Sequence, residues 1–149
     1  MTVKGHYFDD FLPGQKYDTD KRTITESDLV NFTTSFGFFE PLFMDETYLA
    51  KSTTYEGRLV PGTMTFTVAE GLTILSGIIH GTGVAFLGTE MTVLRPVVVG
   101  DTIGVDIEVV EKRETKNPER GIVTFFQRVT NQHGLAVMEY SVKRMIRRP

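Results

Sequence analysis

Hydrophobic positions recur every three or four residues in the first half of the chain and alternate in the second. From Gln15 to Thr25 the sequence is polar and loosely alternating, which predicts an edge strand. Thr25 then precedes Glu26, Ser27 and Asp28, so it can cap a helix with Asp28 near the positive end. Leu29, Phe32 and Phe36 follow at helical spacing and predict one buried face, and Gly37 stops the run. Phe38 to Leu42 reads as an apolar, proline-containing loop. Asp45 can cap a short helix through Tyr48, Leu49 and Ala50. A longer helix begins near Pro61, a residue suited to a first turn. Met64, Val68, Leu72, Leu75 and Ile79 form its stripe, and about nineteen residues predict about 28 Å of helix at 1.5 Å per residue.

Beyond this helix the period falls to two. Val84 to Leu94 reads as a strand ending at Arg95-Pro96, where the ladder is leaving or at an edge, and Gly100-Asp101 is a turn signal. Ile103, Val105, Ile107 and Val109 alternate with polar residues, as do Val123, Phe125, Gln127 and Val129 after the loop around Asn117-Pro118. Asn131-Gln132-His133-Gly134 closes a hairpin into a last strand. There Ala136, Met138, Tyr140, Val142 and Ile146 are expected to face the core, with Glu139, Ser141 and Lys143 opposite. Helices followed by a meander predict an α+β protein rather than alternating βα units. A sheet curled around one long helix, burying it on most sides, is the hot-dog fold. Its open edges are expected to be paired, most simply in a homodimer with a continuous sheet.

The 149 residues predict a single domain, 1–149, large enough to bury a core without staples. A formal charge of −3 gives no global attraction for nucleic acid or anionic membrane. Zero cysteines exclude disulfides, Cys-ligated zinc and thiol catalysis. MTVKGHYFDDF has no signal-like apolar run, so a cytoplasmic location is expected. Pro61 to Gly81 is nearly long enough to span a bilayer, yet it carries Glu70, four threonines and three interior glycines. It is expected to be a helix wrapped by protein.

Thr25-Glu26-Ser27-Asp28, Phe32, Gly37, Pro41-Leu42, Asp45, Ala50, Gly57-Arg58 and Pro61-Gly62 fall in an ordered series. Leu94-Arg95-Pro96, Val99-Gly100-Asp101-Thr102, Asn131-Gln132 and Gly134 continue it. In order and spacing these residues resemble the MaoC-like hydratase/dehydratase family, which includes (R)-specific enoyl-CoA hydratases. The resemblance covers nearly the whole chain. It implies a hot-dog fold and an acyl thioester, such as a coenzyme A ester, as substrate or ligand, with no metal or other cofactor.

In that family the loop after the first helix typically reads G-D-x-N-P-L-H-x-D. Its aspartate and histidine activate the water that adds across an enoyl thioester. Hydration must take a proton from water and deliver one to carbon, which an acid–base pair can do. Here the loop reads Gly37-Phe38-Phe39-Glu40-Pro41-Leu42-Phe43-Met44-Asp45. Phe38 and Phe43 stand at the aspartate and histidine positions, and neither ring can exchange a proton. The binding half of the motif survives. The resemblance places Gly62, between Pro61 and Thr63, where a helix-start amide docks the thioester carbonyl.

Glu40 is the substitute base to consider, since a phenylalanine-rich loop would desolvate it and raise its pKa; the alternative is a solvated loop residue. Phe36, Phe38, Phe39 and Phe43 either pack the loop against the core or line an acyl pocket. His80 is expected at the end of the long helix in a structural role, with His6 and His133 solvated in a tail and a turn. Lys143, Arg144, Arg147 and Arg148 read as a solvated strand end, or with Arg58 or Arg95 as contacts for coenzyme A phosphates. Three readings remain open: a hydratase using Glu40 or Asp45, a non-catalytic acyl-thioester-binding subunit, and a thioesterase drawing on Glu40, Asp45 or Glu70. The family resemblance also allows heterodimers in which a binding subunit pairs with a catalytically complete hot-dog chain.

Overall fold

In the computed structural model, which describes residues 5–149, the alternating segments form one antiparallel sheet. Its short strands β1 (Lys16–Asp18) and β2 (Arg22–Thr23) both pair with β4 (Thr102–Glu114). The rest of the order is β4, β5 (Arg120–Thr130), β6 (Ala136–Arg147), then β3 (Gly83–Val93) at the far edge. The helices are α1 (Glu26–Phe36), α2 (Pro41–Met44), α3 (Glu46–Ser52) and α4 (Gly62–Leu75). The predicted edge strand 15–25 is thus two short strands joined by residues 19–21. Alternation on β4, β5 and β6 sends Ile103, Val105, Ile107, Val109, Val123, Phe125, Val129, Met138, Tyr140, Val142 and Ile146 into the core. The fold is the expected hot-dog arrangement, with α4 laid in the curve of the sheet.

The Thr25 cap forms as predicted. Its Oγ1 accepts from the Asp28 amide at 3.1 Å, and its own amide donates to Asp28 Oδ2 at 2.9 Å. These reciprocal bonds satisfy two amides that the first turn leaves without partners. Gly37 ends α1 at φ 75°, a left-handed conformation that glycine adopts without Cβ strain. The buried face differs from the expected one. Leu29 and Thr33 are buried, Phe32 is half-buried, and Phe36 is 67% exposed, with its ring packed on Phe32 outside the core.

The central helix is also shorter than predicted, at 14 residues instead of about nineteen. After Ser76, Gly77 turns the chain at φ 84°, so His80 lies in the following turn rather than on the helix. The His80 carbonyl accepts from the Gly5 amide at 2.6 Å, and the His80 side chain is exposed. Met64, Thr65, Ala69, Leu72 and Thr73 face the sheet, whereas Leu75 is 71% exposed. Thr63, Thr67, Gly71 and Ile74 are exposed as well, so the sheet covers one side of α4 rather than most of it. Among the described residues no helix is long and apolar enough to cross a membrane.

The C-terminal basic residues divide. Lys143 and Arg147 are exposed, as expected of a solvated strand end. Arg144 is instead buried on β6, and Arg148 is held by Asp9 and Glu114 at 3.2 and 2.6 Å. Alternation places Arg144 in the series with Tyr140 and Val142; the acidic partner that lets it stay there comes from α4.

Candidate functional site

At the start of α4 the first-turn amides are only partly satisfied. Met64 and Thr65 both donate to the Pro61 carbonyl, at 3.0 and 3.1 Å, and Pro61 supplies no capping side chain. The amides of Gly62 and Thr63 have no acceptor among the described residues. Two unpartnered N–H groups at the positive end of a helix form an anion-favouring corner. A Cβ built at Gly62 would lie 3.2 Å from Val93 Cγ2, so β3 closes tightly over this position.

Gly62 opens into a cavity of about 300 Å³. Its walls include Phe43 from α2, Tyr55 and Leu59 from the following loop, Thr65 from α4, Val93 and Leu94 at the end of β3, and Met138 from β6. Arg95 also lines it and donates to the Ala136 carbonyl at 2.6 Å. The lining is mostly apolar with one cation and a helix end, the composition expected of a small-molecule pocket. A larger groove, of about 400 Å³, lies on the outer face of the sheet among Lys16, Asp18, Asp106, Glu108, Phe126 and Arg128. It is polar and has no helix terminus aimed into it.

The structure brings together part of the predicted set. Gly62 and Phe43 share the cavity. Phe38 lies behind Phe43, with ring centroids 6.2 Å apart, and packs edge-on against Phe32 at 5.2 Å. Pro61 is buried beneath the helix start, and Thr63 is exposed. Glu40 is exposed at the start of α2, where its carbonyl accepts from Phe43 and Met44; the loop does not bury it. The phenylalanine cluster also splits: Phe36 and Phe39 are exposed, Phe38 and Phe43 half-buried.

Asp45 caps α3 by accepting from the Tyr48 amide at 2.9 Å. Arg58 is engaged locally, donating to Glu26 Oε1 at 2.7 Å and to the Phe43 carbonyl at 3.0 Å. It thereby pins the loop that carries Phe43. Tyr55, Leu59, Val93, Leu94 and Met138 were not marked as site residues by sequence. They belong to separate segments, and only chain folding joins them.

Inside the sheet's curve lies a second polar group. Glu70 accepts from Arg144 Nη1 at 2.8 Å, from Arg144 Nη2 at 2.7 Å and from the Tyr140 hydroxyl at 2.8 Å. Gln127 donates to Tyr140 and to Thr73, at 2.7 and 2.9 Å, and accepts from Arg144 at 3.0 Å. Burial raises the Tyr140 pKa, and the Glu70 charge adds to the effect.

The comparisons with known proteins agree with this architecture. The family model described as MaoC like domain matches residues 10–130. The (R)-specific enoyl-CoA hydratase of Aeromonas caviae is 31% identical over 133 residues, covering 89% of this chain and 93% of that protein. Protein MaoC of Klebsiella aerogenes is 35% identical over 115 residues, 76% of this chain; the match spans only 33% of that longer protein. Among solved structures, the monoamine oxidase regulatory protein from Archaeoglobus fulgius superposes with a TM-score of 0.89 at 30% identity. That match covers 100% of this chain and 99% of the other. With the family match spanning most of its length, the chain belongs to the MaoC-like hydratase/dehydratase family.

Proposed function

We propose that this chain binds an acyl thioester, such as an acyl-CoA, with the thioester carbonyl on the Gly62 amide and the acyl group in the adjoining cavity. The observation that carries this reading is the uncapped start of α4, opening into an apolar pocket. An amide at a helix N-terminus favours the partial negative charge of a carbonyl oxygen, and favours an enolate more. Similarity to an (R)-specific enoyl-CoA hydratase supports the same ligand class.

The proposed role is binding without efficient hydration. Phe38 and Phe43 occupy the positions that the resemblance assigns to the proton-transferring pair, and each such group is worth about 10²–10⁴-fold in rate. Glu40 is the weak catalytic candidate that remains, on an exposed loop. Thioester hydrolysis has less support: the Glu70 carboxylate is taken by Arg144 and Tyr140, and Asp45 is engaged as a helix cap. The deciding experiment follows enoyl absorbance with crotonyl-CoA, alongside calorimetric titration with a saturated acyl-CoA. Saturable binding with hydration near background supports the proposal. Robust hydration that Glu40→Gln abolishes replaces it with the Glu40 hydratase, and no binding removes both.

A second hot-dog chain is proposed to cover the β3 edge in a homodimer or heterodimer. β3 is eleven residues long and, among the described residues, pairs only with β6, while Val84, Phe86, Leu87, Met91 and Val93 are exposed along it. A long apolar edge of this kind is a template for further pairing. A catalytically complete partner would supply the proton-transfer groups that this chain lacks. Cytoplasmic residence is proposed with it, in keeping with the absence of cysteine.

A further inference from the structure

On α4 the lining of the Gly62 cavity reaches from Gly62 to Thr65, and on β6 from Val137 to Met138; Thr65 and Met138 are both buried. Phe66, the next residue on α4, and Tyr140, two residues farther along β6, pack edge to face with centroids 4.9 Å apart. Behind them Tyr140 is tied to Glu70 and Gln127, and Glu70 to Arg144. The bonds in this group satisfy one another; the buried side-chain polar atom without a partner among the described residues is Thr82 Oγ1, which is not in it.

We propose that the Phe66–Tyr140 pair, locked by Glu70, Gln127 and Arg144, is an end wall that restricts the site to short acyl groups. The inference rests on thioester binding at Gly62 and adds the substrate class. An aliphatic chain entering the space between α4 and β6 would have to displace a ring held by hydrogen bonds in a low-dielectric interior. Methylenes offer no polar replacement for those bonds, so the Tyr140 hydroxyl would lose both partners and Glu70 and Gln127 one bond each. A wall built of apolar side chains alone would yield more readily by rotamer change.

The test is calorimetric titration of the wild-type protein, in the assembly it forms on purification, with butyryl-CoA, octanoyl-CoA and free coenzyme A. Each further buried methylene would strengthen binding about fourfold, so a continuous channel predicts octanoyl-CoA binding more than a hundredfold tighter than butyryl-CoA. The wall predicts affinities within about fivefold of each other, both tighter than free coenzyme A. Phe66→Ala removes half of the wall and is expected to raise the octanoyl preference at least tenfold. Phe66→Leu and the wild-type chain-length series serve if that variant does not fold. A hundredfold octanoyl preference in the wild type overturns the wall, as does an unchanged ratio in a folded Phe66→Ala protein. Acyl esters that bind no better than free coenzyme A overturn the Gly62 reading as well, a result distinct from loss of chain-length discrimination.

Discussion

Glu70 on α4 and Arg144 on β6 meet as a two-pronged ion pair, with both guanidinium terminal nitrogens within 2.8 Å of the carboxylate. Their side chains are only 15% and 7% exposed. The pair therefore fixes the rotation of the central helix on the sheet in a way that apolar packing alone would leave looser. Arg144→Met is expected to destabilise the protein by about 3–5 kcal/mol, because it strands a buried carboxylate. Adding Glu70→Leu should restore much of that loss. Urea unfolding of both variants measures it, and a single-variant cost below about 1 kcal/mol would show that the pair behaves like an exposed one.

Tyr140 links the same pair to alkaline stability. Its folded-state pKa is raised, chiefly by burial and next by the Glu70 charge, so the folded phenol holds its proton above the ordinary value near 10. The unfolded chain releases that proton first. The contribution is therefore full below about pH 10 and is lost as pH rises further, with a slope of up to about 1.4 kcal/mol per pH unit. Tyr17 is also raised, by burial and Asp10, so the diagnostic quantity is the difference between wild type and Tyr140→Phe. Denaturation series from pH 8 to 11 should show a shallower decline in the variant.

At the start of α1 the sign reverses. Asp28 is held below its usual pKa, first by the Thr25 amide, with the Thr25 hydroxyl and Arg22 adding to it. Its contribution is present above about pH 4 and is lost as pH falls through the lower folded value. Asp28→Asn should cost about 1 kcal/mol at pH 7. Melting temperatures of the two proteins should converge near pH 2, and a gap that persists there would trace the cost to geometry rather than charge.

Gly62→Ala separates binding from folding. Alanine is no worse than glycine in a helix, so stability should change by less than about 1 kcal/mol. The added methyl meets Val93 at 3.2 Å and crowds the amide that is proposed to take the carbonyl. Butyryl-CoA affinity should fall at least tenfold in titration. Unchanged affinity would place the thioester elsewhere.

Restoring the absent chemistry tests the assignment of Phe38 and Phe43. The rings are 6.2 Å apart, close enough for an aspartate and a histidine in their places to share one water. The F38D/F43H protein should hydrate crotonyl-CoA at least about 10²-fold faster than wild type. Neither single variant should reach that rate.

Much of the architecture was legible in the sequence. Alternation in 103–109, 123–129 and 138–146 marked three strands and their core faces, because side chains in a strand point to opposite sides in turn. Thr25 and Asp45 announced their helices because capping is local chemistry. The ordered motifs from Thr25 to Gly134 identified the family. Periodicity fixes which residues share a face but not what opposes that face. Phe36 and Leu75 fit the helical stripes and yet lie exposed, because among the described residues no element covers them. Arg144, read as part of a solvated tail, turned inward because Glu70, 74 residues away, was there to receive it. The cavity at Gly62 is likewise a tertiary product: its walls come from five stretches of chain whose proximity depends on the curvature of the sheet.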